Sequence, residues 1–180
     1  MIAPAHASGI PSHSIDLVTV AQALHWFDTA EFFGDARRVL VDGGAIACWG
    51  YGDPVLDDPA LDGILHSFNR GLLEPYWAPS RNLLLKGYAT IPFPFREVKA
   101  PRFRLEKSWT LSELAGYLRT WSATAKYIEA HGEDPVSDVE RSLRAQVGGP
   151  SPCASRELAH LPARGARHLN HFVPDPPRVR

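Results

Sequence analysis

The sequence predicts an α/β fold built on a parallel sheet, and two stretches carry that expectation. Residues 15–28, "IDLVTVAQALHWFD", open as a buried strand with Ile15, Leu17, Val18 and Val20 around one acidic residue, Asp16. An amphipathic stretch follows, closed by Asp42-Gly43-Gly44, and then a second apolar run, "AIACWGY". Strand, helix, glycine turn and strand make a βαβ unit, whose second strand lies parallel to the first through a right-handed crossover. Both runs are apolar on each face, which suits a parallel sheet covered by helices on both sides. In open sheets of this kind ligands bind at the carboxyl ends of the strands. The segment from Ala21 to Trp26 is therefore expected to face a ligand.

Each element has a local reason. The β-branched residues Ile15, Val18, Thr19 and Val20 favour strand over helix. Asp28 or Thr29 can cap the next helix, with Glu31 in its first turn, where the positive end of the dipole favours a carboxylate. Phe32, Phe33, Ala36, Val39 and Leu40 fall near helical spacing, and the two glycines are expected to stop that helix. Leu61, Ile64, Leu65, Phe68 and Leu72 predict a helix within residues 55–75. "EPYWAPSR" and "GYATIPFPFREVKAPRF" read as irregular, with one or two short strands. Residues 103–109 alternate as a half-buried strand does. Thr110 with Glu113 forms a capping box ahead of an apolar stripe at Leu114, Tyr117, Leu118 and Trp121. Gly132 and Pro135 end that helix region, and "VSDVERSLRAQV" is a last amphipathic helix. From Gly148 onward, Pro, Arg and His recur with no convincing period. The expected organisation is one domain portion over residues 1–147 and a disordered or frame-shifted tail over 148–180. A transcript read through residue 148 in this frame would count against a frame shift.

Composition narrows the function. The chain has 180 residues, 44% hydrophobic and 22% charged, as a globular protein has. Nineteen basic against twenty acidic residues give a net charge of −1, so no basic surplus points to nucleic acid. No apolar run approaches the roughly 18 residues of a membrane span. The N-terminal stretch lacks the basic head and apolar core of a signal peptide. Cys48 and Cys153 match no metal or redox spacing. These features set a reduced, cytoplasmic location as the expectation. No metal is expected: His160, His168 and His171 fit no ligand pattern, and Asp53, Asp57 and Asp58 read as an acidic loop capping a helix start. No G-x-S-x-G elbow or P-loop supports a hydrolase or an NTPase.

"IDLVTVAQALHWFD", the helix after it and "RRVLVDGGAIACWGYG" resemble the second half of the class I S-adenosylmethionine-dependent methyltransferase fold. The closer resemblance is to the methyltransferase type 11 group that includes trans-aconitate methyltransferase-like proteins. An Ala-Gln-Ala-x-His-Trp-Phe-Asp-like stretch followed by Arg38-Val39-Leu40 and Gly43-Gly44 carries it, over about residues 3 to 147. The resemblance implies a partial Rossmann-like methyltransferase sheet with an irregular Pro/aromatic-rich insert. It implies S-adenosylmethionine as cofactor and methyl transfer to a small-molecule oxygen acceptor, with a carboxylate as one such acceptor. For a hydroxyl acceptor His25 is the catalytic candidate, as general base. The cofactor-binding candidates are Ala5, His6, Ala21, Gln22 and Trp26, with His6 standing where an acidic residue usually meets the adenine. The substrate-binding candidates are Tyr76, Trp77, Arg81, Trp121 and Ser122, with an Arg fork suited to a carboxylate.

The glycine-rich cofactor turn of such enzymes has no counterpart upstream of Ile15. The chain is therefore expected to be a fragment lacking the N-terminal cofactor-binding half. The rival expectations are an inactive interaction module that self-associates through an exposed edge at Ile15–Val20, or a second polypeptide that completes the cofactor site.

Overall fold

A computed structural model describes residues 2–99, 105–148, 161–165 and 169–174, and the side chains of 2–97 and 105–148. In chain order the strands are β1 (Ile15–Ala21), β2 (Leu40–Gly50), β3 (Pro54–Leu56), β4 (Val98–Lys99), β5 (Glu106–Trp109), β6 (Leu161–Gly165) and β7 (Leu169–Pro174). The α-helices are α1 (Thr29–Val39), α2 (Pro59–His66), α3 (Arg81–Leu85), α4 (Leu111–Arg119), α5 (Ser122–His131) and α6 (Val136–Val147). The chain divides into two compact units. The first holds Met1–Gly52, Ser80–Arg104 and Arg167–Arg180, and the second Asp53–Pro79 and Leu105–Ala166.

The first unit contains the expected βαβ. β1 and β2 are parallel, with Val18 opposite Ile46 and Val20 opposite Cys48. The Asp28 carboxylate caps α1 by accepting from the backbone N–H groups of Ala30 at 3.1 Å and Glu31 at 3.2 Å. α1 does not run on to the glycines. It ends at Val39, and Leu40 is already extended and buried opposite Ile15. Burial of Leu40 beside the first strand outweighs one more helical turn. The glycines serve an excursion within β2 instead: Ile15 faces Leu40, but Leu17 faces Ala45, so residues 41–44 bulge between them. Gly43 sits there at φ +81°, and a Cβ on Gly44 would lie 2.9 Å from the Val41 carbonyl oxygen.

The sheet order is β1-β2-β7-β4. One face of the parallel pair, Val20, Ile46 and Cys48, packs against Phe32, Phe33 and Ala36 of α1 and against Tyr88, Ile91 and Phe95. The expectation of cover on both faces fails at β1. Leu17 is 49% exposed, and Thr19 and Ala21, which share its face of β1, are exposed as well.

The second unit has an antiparallel sheet, β3-β6-β5, and a core formed by α2, a following π-helical turn (Ser67–Leu72), α4, α5 and α6. The capping box forms as expected: Thr110 N–H donates to Glu113 Oε2 at 2.8 Å, and Glu113 N–H donates to Thr110 Oγ1 at 3.2 Å. The stripe through Trp121 does not belong to one helix. Trp121 is extended (φ −68°, ψ 135°) between α4 and α5, and the Leu118 carbonyl accepts from Trp121 N–H at 3.2 Å and from Thr124 Oγ1 at 2.8 Å. The tail, without a readable period, supplies β6 and β7, which pair with β3 and β5 and with β2 and β4. Cys153, His160 and His168 lie outside the described residues, and His171 lies on β7. Among the described residues no helix is long and apolar enough to cross a membrane.

Candidate active site at the carboxyl end of β1

β1 is followed directly by Gln22, which is held in the left-handed region at φ +54°. Such a conformation is uncommon for a residue with a side chain and persists where surrounding bonds enforce it. Three bonds do so. Gln22 N–H donates to the Trp49 carbonyl at 2.8 Å, Nε2 donates to the Tyr51 carbonyl at 3.0 Å, and Oε1 accepts from Tyr51 N–H at 2.8 Å. The Gln22 amide therefore acts as one more rung of the parallel ladder, and both ends of that amide are engaged. The Gln22 side chain, expected from sequence to meet the cofactor, is thus already tied to the backbone of Tyr51.

The chain then makes a 3₁₀ turn, Leu24–Trp26, that buries Leu24 and His25 and leaves Trp26 57% exposed. His25 is only 8% exposed, and its ring centroid lies 4.9 Å from that of Trp26. Its Nδ1 is 3.2 Å from the Tyr88 hydroxyl, while among the described residues Nε2 has no hydrogen-bond partner. Burial, and then the positive charge of Arg81, hold the His25 pKa below its ordinary 6.5. At neutral pH the ring is therefore uncharged. Arg81 opens α3 and is itself 8% exposed.

Tyr88 was not legible as a site residue. It lies in the Pro/aromatic stretch, at φ +57° directly after Gly87 at φ +66°, and the only local signal is that glycine. Consecutive left-handed residues turn the phenol into the core, where it is 1% exposed. Burial, with a smaller contribution from Cys48, raises its pKa to about 12. Gly50 was missed as well. A Cβ there would meet Leu84, lie 3.0 Å from Gln22 Oε1 and lie 3.3 Å from the Tyr88 hydroxyl. Its hydrogen is what lets these side chains converge.

Ala5 is half-buried against this cluster, and Ala21 is exposed at the strand end. His6 is exposed, with Nε2 3.9 Å from a Glu31 carboxylate oxygen, beyond hydrogen-bond range. Arg81, grouped with Tyr76 and Trp77 on sequence adjacency, belongs to the first unit, and they belong to the second. There Trp77 Nε1 donates to buried Asn69 at 3.0 Å, and the Tyr76 hydroxyl is 2.5 Å from His131 Nε2. Trp121 is buried between Phe68 and Trp77, so it packs the core, while Ser122 is exposed at the start of α5. In the acidic loop Asp58 caps α2, and Asp53 pairs with Arg70 at 2.9 Å. A cavity of about 580 Å³ in the second unit has an apolar floor that includes Ile64, Phe68 and Val139. Two of its three lining acids are paired, Asp134 with Arg119 and Asp138 with Arg141, each at 2.8 Å.

Comparison with known proteins bears on this arrangement. A methyltransferase-domain profile matches residues 1–48, the segment that holds β1, the His25 turn and most of β2. A solved structure assigned to the type II methyltransferases, from Anaeromyxobacter dehalogenans, is 34% identical and superposes with a TM-score of 0.80, over 99% of this chain and 72% of that one. The chain belongs to the methyltransferase family. A curated protein named as a methyltransferase, from Dictyostelium discoideum, is 30% identical over 136 residues, 74% of this chain. The chain spans about half, 52%, of that relative's length. Within this methyltransferase chain, Ala21–Trp26 lies at a strand end of the kind that binds ligands in open α/β sheets.

Proposed function

We propose that this methyltransferase chain takes part in transfer of a methyl group from S-adenosylmethionine to an oxygen of a small molecule, a carboxylate in the reading we favour, in a reducing cytoplasmic setting. The supporting observation is a buried polar atom without a partner: Nε2 of His25, at the carboxyl end of a parallel strand, beside the exposed indole of Trp26. Buried polar groups are nearly always satisfied, so an open one in a strand-end site is a place for a ligand. The residue set suits a cofactor with an apolar and aromatic body. Ala21 and Trp26 offer exposed apolar surface, and the Gln22 clamp keeps that surface fixed. Ala5 and His6 are assigned to the adenine side on family likeness.

Bound S-adenosylmethionine supplies an electrophilic methyl carbon. The protein's task is then to align an acceptor oxygen and exclude water. A carboxylate acceptor is already ionised and needs no base. Arg81, a buried cation whose charge reaches His25, is the residue we assign to it. The test is calorimetric titration of the folded chain with S-adenosylhomocysteine. Saturable binding that Trp26→Ala weakens supports the reading, and a folded chain that binds nothing contradicts it.

A second reading, an interaction module that pairs through β1, has one observation in its favour. Among the described residues no strand pairs with the outer edge of β1, and Leu17 is half-exposed there.

A further inference from the structure

We propose that Tyr88 is the positioning residue of this site: its hydroxyl donates to Nδ1 of His25 and fixes the ring in the tautomer that carries its proton on Nε2. His25 then meets the occupant of the strand end as a hydrogen-bond donor and not as a base.

The Tyr88 hydroxyl is buried, and among the described residues its one hydrogen-bond partner is His25 Nδ1, at 3.2 Å. A buried phenol that keeps its proton must place it on an acceptor, and the neutral imidazole offers one nitrogen lone pair. If Nδ1 carried the ring proton instead, the Tyr88 proton would have no acceptor in a site with almost no solvent access. The tautomer with the proton on Nε2 satisfies the phenol and Nδ1 together, leaving one open polar group, the Nε2–H.

The fold supports this contact at a cost. Of the three non-glycine residues at positive φ among the described residues, two, Gln22 and Tyr88, approach the same glycine, Gly50. Backbone strain of this kind is unfavourable and collects where geometry serves a site. Gln22 fixes the start of the turn that carries His25, and Tyr88 fixes the ring. The Tyr88 backbone is anchored in turn, with its N–H donating to the Leu83 carbonyl at 2.7 Å and its carbonyl accepting from Ile91 N–H at 2.9 Å.

The inference rests on reading the end of β1 as a ligand site, but its test needs no ligand, so the two can fail separately. The experiment is ¹⁵N NMR of the full chain with labelled histidine, near neutral pH, for the native protein and Tyr88→Phe. The expected result is a His25 ring protonated at Nε2 with Nδ1 as acceptor, and in Tyr88→Phe a loss of that preference to a mixture of tautomers. A merely structural Tyr88 would leave the tautomer untouched, since phenylalanine keeps the packing. A His25 protonated at Nδ1 in the native chain, or an unchanged tautomer in Tyr88→Phe, overturns the proposal. Should Tyr88→Phe fail to fold, the native spectrum alone decides between the two tautomers.

Discussion

Gly50 shows how one missing methyl group can set a site. Leu84 could rotate away from an added Cβ, but Gln22 Oε1 is tied to Tyr51 N–H and the Tyr88 ring is enclosed, so neither can yield freely. Gly50→Ala is expected to lower stability by about 1–3 kcal/mol, as overpacking does. Urea denaturation should show a lower midpoint at unchanged slope. His25 gives the second prediction at this scale. Its folded pKa lies below 6.5, chiefly through burial and then through Arg81, so as pH falls below 6.5 the unfolded chain takes up a proton that the folded chain resists. Its contribution is fully present above 6.5 and is lost as pH falls towards the folded pKa. Unfolding midpoints measured from about pH 7.5 down to 5.5 should therefore decline in the native chain and decline less in His25→Gln. The place of Gln22, His25 and Trp26 just past β1 was legible because the βαβ pattern marks where that strand runs. Tyr88 was not, because its role depends on a contact across 63 positions of sequence that no local pattern encodes.

Elements whose signals are local were read most faithfully. The Asp28 cap, the Thr110–Glu113 box, the α6 stripe and the parallel pairing of β1 with β2 all follow from residues a few positions apart or from the βαβ rule. Thr110→Ala should cost about 1 kcal/mol, the usual value of an N-cap, with thermal unfolding as the readout. Gly132, at φ +71° after α5 with open space around its Cα, should tolerate alanine sterically but lose about 1 kcal/mol to the left-handed backbone. The misread boundaries share a cause. α1 stops at Val39, before its glycines, because Leu40 gains more from burial against β1 than from helix, and the α4–α5 region breaks at Trp121 because the indole packs between Phe68 and Trp77. In both, tertiary packing outweighs local propensity, and single-sequence periodicity has no access to it. The tail strands β6 and β7 depend wholly on distant partners, which is why no period announced them.

At the scale of the molecule, a parallel βαβ unit carries the candidate site and a mainly helical second unit carries its own aromatic core. If the outer edge of β1 pairs with a second copy, light scattering should show a concentration-dependent dimer that Leu17→Lys dissolves, since a charged side chain on an edge strand opposes pairing. The central claim is narrower: the end of β1, with Trp26 exposed and His25 held by Tyr88, is where the ligand of this methyltransferase chain sits. The most direct test is a ¹⁵N–¹H titration of the chain with S-adenosylhomocysteine, mapped residue by residue. Shifts concentrated at Ala21–Trp26, Arg81 and Tyr88 are the predicted result. Saturable shifts confined to the second unit, or a folded chain whose spectrum does not change, would contradict it.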